Sequence, residues 1–192
     1  MPRHVFLYDP PERFVAGTVG VPGSRTFFLQ ARTGNRTTSV ALEKSQVELL
    51  AERVEDLLDE VLRLTGGDAS VPAVAPAALE DLDPLEAPVA EEFRVGALSL
   101  GWDGDDDRVV IEAHAPSEGD DEADAEVPDV GEDVEDGADV LRVRLTPAAA
   151  RAFSKRALAV VSAGRPPCPF CSQPLDADGH ICPRANGYRR RV

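Results

Sequence analysis

The chain has 192 residues, 43% of them hydrophobic, and a formal net charge of −15 at pH 7. This length suits one domain with an appendage, or two small modules. Its longest apolar stretches fall far short of the ~20 residues that span a bilayer, and charged residues follow Met1 closely, so we expect neither a membrane span nor a signal peptide.

The three cysteines lie close together in sequence, and no secretion signal accompanies them. This arrangement argues against a disulfide framework and favours a reducing, cytoplasmic environment. Eleven acidic residues and no basic one fall between residues 116 and 138, so the other 169 residues carry only −4. The negative charge therefore belongs mainly to one segment.

The first 42 residues are rich in β-branched and aromatic residues, with glycine- or proline-bearing turns at short intervals. Such a composition predicts an antiparallel meander of strands. The predicted strands cover residues 4–8, 13–21, 25–32 and 36–42.

The pattern changes at Glu43. From Val47 to Leu64 the apolar residues recur at spacings of three and four, which predicts an amphipathic helix of about five turns. Its apolar stripe is wider than a coiled-coil seam, so packing on the chain's own sheet is favoured over a coiled-coil dimer. Residues 66–90 are rich in alanine and proline without clear periodicity, and we interpret them as a linker or long loop.

Strand patterns return in residues 91–164. Residues 92–102 and 108–115 predict two strands joined by the charged turn DGDDD, and residues 139–145 predict a third. Thr146 as N-cap and Pro147 at the first helical position predict a helix that ends near Ser162.

The acidic segment 116–138 interrupts this second unit. It has few large apolar residues and its like charges repel, which predicts a disordered insert. One hypothesis makes the insert an electrostatic gate that covers a basic surface on the strand and helix after it. The basic residues concerned are Arg142, Arg144, Arg151, Lys155 and Arg156.

Both halves show the same order of strand, turn, strand, strand and helix. We therefore predict an α+β fold with two antiparallel strand-rich units, each followed by a helix, as a βββα pseudo-repeat. The predicted divisions are 1–65 for the first unit, 66–90 for the linker, 91–164 for the second unit, and 165–192 for a zinc-ribbon-like tail.

The tail contains the pattern C-x2-C-x8-H-x-C, formed by Cys168, Cys171, His180 and Cys182. The first pair forms a knuckle in which both sulfurs reach one metal. His180 and Cys182 are two residues apart, so their side chains project from one face of an extended segment. Three thiolates and one imidazole complete a tetrahedral site, which predicts one structural zinc per chain.

Other chemistries fit the tail less well. A catalytic zinc usually keeps an open coordination position, and four protein ligands leave none. A redox C-x-x-C pair usually begins a helix, whereas prolines flank this pair. An iron–sulfur cluster prefers four cysteines, and the chain has three.

Four motifs spread along the chain carry a family resemblance: DPPERFVAGTVG, RTFFLQAR, SVALEK and CPFC…GHICPRANGYRR. Together they resemble an actinobacterial family of conserved hypothetical proteins, a domain of unknown function. The resemblance implies that Cys168, Cys171, His180 and Cys182 match the family's metal ligands. It also implies that the run RANGYRR at 184–190 is a family signature, and it implies no particular activity.

The sequence favours a cytoplasmic, non-enzymatic module that binds a protein partner through the tail. The predicted recognition residues are Arg184, Asn186, Tyr188, Arg189 and Arg190. The first alternative is a nucleic-acid-binding protein that uses the basic tail. The second is an enzyme that acts on a phosphate or thiol substrate, although no catalytic constellation is evident.

Overall fold

A computed structural model describes residues 3–66, 70–116, 137–164, 168–171, 182 and 184. Within these ranges the chain forms two four-stranded sheets and two α-helices, which confirms the predicted α+β class. The strands are β1 (Val5–Tyr8), β2 (Arg13–Val19), β3 (Thr26–Thr33), β4 (Arg36–Leu42), β5 (Glu91–Arg94), β6 (Ala97–Asp103), β7 (Arg108–His114) and β8 (Val140–Leu145). The helices are α1 (Lys44–Leu64) and α2 (Pro147–Ser162).

Each half contains an antiparallel meander that leads directly into a helix. Strands β2, β3 and β4 precede α1, and β6, β7 and β8 precede α2. One residue joins the last strand to the helix in each half. Thr146 caps α2 by accepting a hydrogen bond from the Ala149 N–H at 3.2 Å, and Glu43 forms a capping box with Gln46 at α1.

The remaining two strands are exchanged between the halves. β1 pairs in parallel with β8, and β5 pairs in parallel with β4. The sheet orders are therefore β2-β3-β4-β5, which we call the first sheet, and β1-β8-β7-β6, which we call the second sheet.

The prediction of a single strand over residues 92–102 is wrong. The chain leaves one sheet and enters the other at Val95 and Gly96. The Val95 N–H donates to the carbonyl of Ala41 in the first sheet at 2.7 Å, and the Gly96 N–H donates to the carbonyl of His114 in the second at 2.8 Å. Adjacent amides thus bond to different sheets, which divides the stretch into β5 and β6.

Both helices and the inner faces of both sheets share one hydrophobic core. Phe153 of α2 stacks on Phe14 of β2 with ring centroids 4.7 Å apart. The helices pack directly on each other, and the buried Ser154 hydroxyl donates to the carbonyl of Ala51 at 2.8 Å. The apolar face of α1 is thus buried within the chain's own core, including Val54 and Leu58.

Residues 70–90 form a long loop that contains one short 3-10 helix, Ala77–Leu79. We call residues 81–86 the strap, because they lie on the outer face of the first sheet. Asp81 accepts hydrogen bonds from Arg13 at 2.6 Å and from Arg156 at 2.9 Å. The strap therefore ties β2 to α2.

Candidate metal centre

Three cysteines meet beyond the end of α2. Residues 169–171 form a turn, which places Cys171 beside Cys168. Cys182 approaches from a later part of the chain, and its Sγ lies 3.8 Å from the Sγ of Cys168. All three Sγ atoms lie within 4.8 Å of one another.

The sulfur separations fit a shared metal and exclude disulfides. Two thiolates bound tetrahedrally at ~2.3 Å from zinc lie about 3.8 Å apart, as do the sulfurs of Cys168 and Cys182. A disulfide needs an S–S distance of about 2.05 Å, and none of the three cysteines, all within the described ranges, forms one. The cluster can therefore supply three soft ligands to one ion.

The surroundings of Cys168 favour the thiolate, which is the form that binds metals. Burial alone would raise the pKa of this thiol. Hydrogen bonds from the backbone N–H groups of Cys171 and Phe170, together with the neighbouring thiols of Cys171 and Cys182, outweigh burial and lower the pKa below its usual value. Cys168 and Cys182 are buried, and Cys171 is half-buried.

The structure places some of the predicted site residues and leaves others outside its described ranges. It brings together Cys168, Cys171 and Cys182. Arg184 lies against the knuckle, because its Nη1 donates to the carbonyl of Phe170 at 3.1 Å. The predicted residues outside the described part of the chain are His180, Asn186, Tyr188, Arg189 and Arg190.

The second sheet contains a buried row of polar side chains that the sequence patterns do not indicate. Strand register places Ser99, Glu112 and Arg142 side by side across β6, β7 and β8. Glu112 and Arg142 form an ion pair while both are buried. Their separation of 30 residues explains the omission, because only the pairing of β7 with β8 makes them neighbours.

His114 belongs to the same buried group, but its geometry is not that of a catalytic relay. Its Nε2 lies 3.2 Å from the Ser99 hydroxyl and 3.4 Å from the Glu112 carboxylate. A serine–histidine–acid relay needs the hydroxyl and the carboxylate on opposite ring nitrogens. These contacts share one nitrogen, so the group stabilises the sheet rather than activating the serine.

The basic surface required by the gate hypothesis is already neutralised by carboxylates in the described part of the chain. Arg144 alone contacts Asp9, Asp103 and Asp106. The other pairs are Arg142 with Glu112, Arg151 with Glu55 and Asp59, Lys155 with Glu80, and Arg156 with Asp81. The insert itself, apart from its ends, lies outside the described residues.

Among the helices in the described ranges, none combines the length and the apolar character that a membrane crossing requires.

Taken together, the fold and the thiol cluster define a two-sheet α+β protein with a candidate metal centre near its C-terminus. The model of one protein family, described as a protein of unknown function (DUF3090), matches residues 6–182. The chain belongs to this family. Comparison with curated proteins and with solved structures gave no significant match.

Proposed function

We propose that the chain is a metal-stabilised interaction module whose tail holds one structural zinc ion. The observation that carries this proposal is the cluster of three thiols, with a Cys168–Cys182 sulfur separation of 3.8 Å. The ligands are Cys168, Cys171 and Cys182, with His180 as the fourth. Three thiolates and one neutral imidazole form a closed tetrahedral set of the zinc-ribbon type.

A structural role follows from the number of ligands. A catalytic zinc needs a position for water or substrate, and a four-ligand site leaves none. Metal binding instead contributes its free energy to folding of the tail, which is too short and too polar to bury a core of its own. The zinc therefore holds a short surface element in one conformation.

The tail is the recognition surface in this proposal, and its partner is a protein in the reducing cytoplasm. Phe170 is 63% exposed at the tip of the knuckle, and Arg184 is fixed beside it. Exposed aromatic and arginine side chains are common anchors of protein interfaces. Asn186, Tyr188, Arg189 and Arg190 extend this surface along the sequence.

The first test is zinc content with X-ray absorption, measured on the native chain and on Cys182→Ser. We expect one zinc per native chain with three sulfur ligands and one nitrogen, and loss of most zinc in the variant. Ser162→Ala, an exposed change at the end of α2, is the control and should keep the native zinc content. Absence of zinc, or an oxygen ligand in the native chain, would show that the closed site is wrong.

The second test addresses recognition. Zinc-loaded protein should capture a protein partner, and Arg189→Gln with Arg190→Gln should weaken capture, whereas the exposed α1 variant Arg53→Gln should not. Tight binding of nucleic acid whose affinity falls steeply with salt would instead favour the nucleic-acid alternative.

A further inference from the structure

A glycine occupies the equivalent position on the outer face of each sheet. Ser39 of β4 and Arg142 of β8 each lie four residues before the N-cap of the helix that follows. Through β3 and β7, the strand pairings then relate Gly17 of β2 to Gly101 of β6. Neither glycine has a positive φ, and the pairing of both strands is regular. A glycine inside a regular strand often marks a place where another backbone or a ligand approaches closely.

At Gly17 the approaching backbone is the strap. A Cβ on Gly17 would lie only 2.6 Å from the side chain of Leu85. The Gln30 amide on the neighbouring strand binds the backbone of Glu86 in both directions. Its Oε1 accepts the N–H at 2.8 Å, and its Nε2 donates to the carbonyl at 3.1 Å. The outer face of the first sheet thus holds an extended segment with an apolar side chain over the glycine.

The strap and this face also match in charge. Asp81 of the strap pairs with Arg13 of β2 and Arg156 of α2. Glu86 at the other end of the strap pairs with Arg32 of β3, where the two side chains are 2.8 Å apart. The first sheet therefore shows how this fold holds an extended segment: an apolar side chain covers the glycine, and charges opposite to those of the sheet hold the two ends.

At Gly101 the equivalent position opens into a cleft of about 660 Å³. Gly101 and Val110 pair across β6 and β7 and lie in its wall, together with Leu7 and Trp102. Leu7 is 43% exposed, so the cleft presents apolar surface to solvent. Its volume falls within the range of about 300–1,000 Å³ that is typical of binding clefts. The second sheet thus has the space and the apolar surface for a side chain over Gly101.

The rim of the cleft is negatively charged. Asp105 makes no ion pair with any described residue, and Arg144 is shared among three carboxylates. The backbone N–H of Asp105 and the guanidinium of Arg144 lower the pKa of Asp103, which keeps this carboxylate ionised at neutral pH. In the described part of the chain, five aspartates surround three arginines here: Asp9, Asp103, Asp105, Asp106 and Asp107 with Arg36, Arg108 and Arg144.

This distribution of charge selects a cation. Arg142 and Arg144 are the arginines in the wall of the cleft, and both are engaged by carboxylates, Arg142 by Glu112 and Arg144 by three aspartates. An anionic ligand would have to displace these carboxylates. A basic segment instead complements the net charge of the rim.

We propose that this cleft binds an extended segment of a partner protein, with an apolar side chain over Gly101 and arginine or lysine side chains at the rim. The arrangement is that of the strap on the first sheet with the signs of charge exchanged. The site goes beyond the recognition surface proposed for the tail, because that surface is basic and this one is acidic. The two surfaces therefore bind segments of opposite charge, and no residue of the tail is among the described residues of the cleft.

The probe is a hexapeptide derived from the strap. The strap has the sequence DLDPLE, and the peptide RLRPLR replaces its three acidic residues by arginine. Trp102 lines the cleft and is the only tryptophan of the chain, so its fluorescence reports binding. Titration of RLRPLR into the full chain at about 0.1 M salt should change this fluorescence saturably, and DLDPLE should not. At about 1 M salt, where the Debye length falls from about 10 to about 3 Å, binding of RLRPLR should weaken.

A matched peptide separates the cleft from simple attraction of like-charged peptides to the acidic segment 116–138. RLRPAR keeps every charge and replaces only the leucine that corresponds to Leu85. It should bind about tenfold more weakly than RLRPLR, because the leucine is buried over Gly101. Attraction to the acidic segment alone would treat the two peptides alike.

Two variants of the chain test the two halves of the site. Gly101→Ala places a methyl group where the leucine lies and should weaken RLRPLR at least about fivefold; its urea midpoint checks that the variant is folded. Asp105→Asn removes one exposed charge of the rim and should weaken RLRPLR about two- to fivefold. Asp56→Asn on α1 is the matched control and should bind as wild type.

Three results would overturn the proposal: no change of Trp102 fluorescence with RLRPLR, equal binding of RLRPLR and DLDPLE, or equal binding of RLRPLR and RLRPAR. Zinc content and capture of a partner by the tail are measured without these peptides. Failure of the cleft is therefore distinguishable from failure of the function proposed for the tail.

Discussion

At Gly17 the absence of a side chain lets the strap lie directly on the first sheet. A Cβ at this position would meet Cγ and Cδ2 of Leu85 at 2.6 Å. Real Cβ atoms do not approach so closely, so either the strand or the strap would have to move. The glycine is therefore required by packing and not by an unusual backbone conformation.

Gly17→Ala should lower the free energy of unfolding by about 1–3 kcal/mol, the usual cost of overpacking. Urea denaturation measures this change. Gly104→Ala is the matched control, because its Cβ would meet Trp102 only at 3.6 Å, an ordinary contact. Adding Leu85→Ala to Gly17→Ala should recover part of the loss, and simple additivity of the two changes would contradict the packing argument.

Residue-scale prediction from the sequence succeeded where partners are close along the chain. Cys168 and Cys171 form a recognisable knuckle, and Cys182 follows within one short segment. It failed for Glu112 and Arg142, whose ion pair depends on the register between β7 and β8. No local pattern encodes that register, so the polar row of the second sheet could be found only in the structure.

At the scale of elements, α1 and α2 are joined by an arginine that sequence patterns place on a helix surface. The Arg151 side chain is 2% exposed and pairs with Glu55 and Asp59 of α1. Burial tends to lower the pKa of its guanidinium, but the hydrogen bonds to Asp59 and Glu55 raise it above the ordinary value. Arg151 is therefore a permanent cation between the helices.

Arg151→Ala should destabilise the chain by about 1–3 kcal/mol, since it removes charge-assisted hydrogen bonds and the packing of the arginine stem. Denaturation by guanidinium or urea reports the loss. Arg53 is 67% exposed, and its guanidinium lies as far as 4.0 Å from the carboxylate of Asp56. Arg53→Ala should therefore change the free energy of unfolding by less than about 0.5 kcal/mol. Similar losses in both variants would mean that the interhelical pairs contribute little.

Asp81 makes the attachment of the strap sensitive to pH. The hydrogen bond from Arg13 lowers the pKa of Asp81, burial opposes this, and the charges of Arg13 and Arg156 lower it further. A lowered pKa in the folded state means that Asp81 stabilises the fold fully above its unfolded pKa of about 4. That stabilisation is lost as the pH falls through the folded value.

Asp81→Asn should accordingly reduce stability most at neutral pH, and the difference from wild type should shrink as the pH falls below about 4. Unfolding measured at several pH values between neutral and acid tests this sign. Asp56→Asn provides the comparison, because Asp56 is 73% exposed. A wild-type–variant difference that grows toward acid pH would contradict the role given to Asp81.

The sequence predicted helices correctly where apolar residues recur at a regular spacing or where a capping residue marks the first turn. The three-and-four spacing after Val47 predicted α1, and Thr146 with Pro147 predicted the start of α2. It failed at β5 and β6, because EFRVGALSLGW reads as one uninterrupted strand. The change of sheet at Val95 and Gly96 depends on hydrogen bonds to Ala41 and His114, which lie outside any local window.

At the scale of the whole molecule, strand exchange turns two similar units into one structure. The first sheet needs β5 from the second half, and the second sheet needs β1 from the first half. The buried Tyr8 hydroxyl of β1 also hydrogen-bonds Thr38 of β4 at 2.7 Å. The boundaries predicted at residues 65 and 91 follow the order of elements along the chain, whereas the sheets combine strands from both sides of these boundaries.

This arrangement predicts one cooperative unfolding transition rather than two. In urea, the fluorescence of Trp102 reports the second sheet, and far-ultraviolet circular dichroism reports all helices and strands. The two curves should coincide, with a single midpoint and an unfolding slope that matches the surface of the whole fold. Thr38→Val, which removes the hydroxyl partner of Tyr8 in the first sheet, should shift both curves by the same amount. Separate transitions, or a shift in circular dichroism while Trp102 keeps its wild-type midpoint, would show that the halves fold independently despite the exchanged strands.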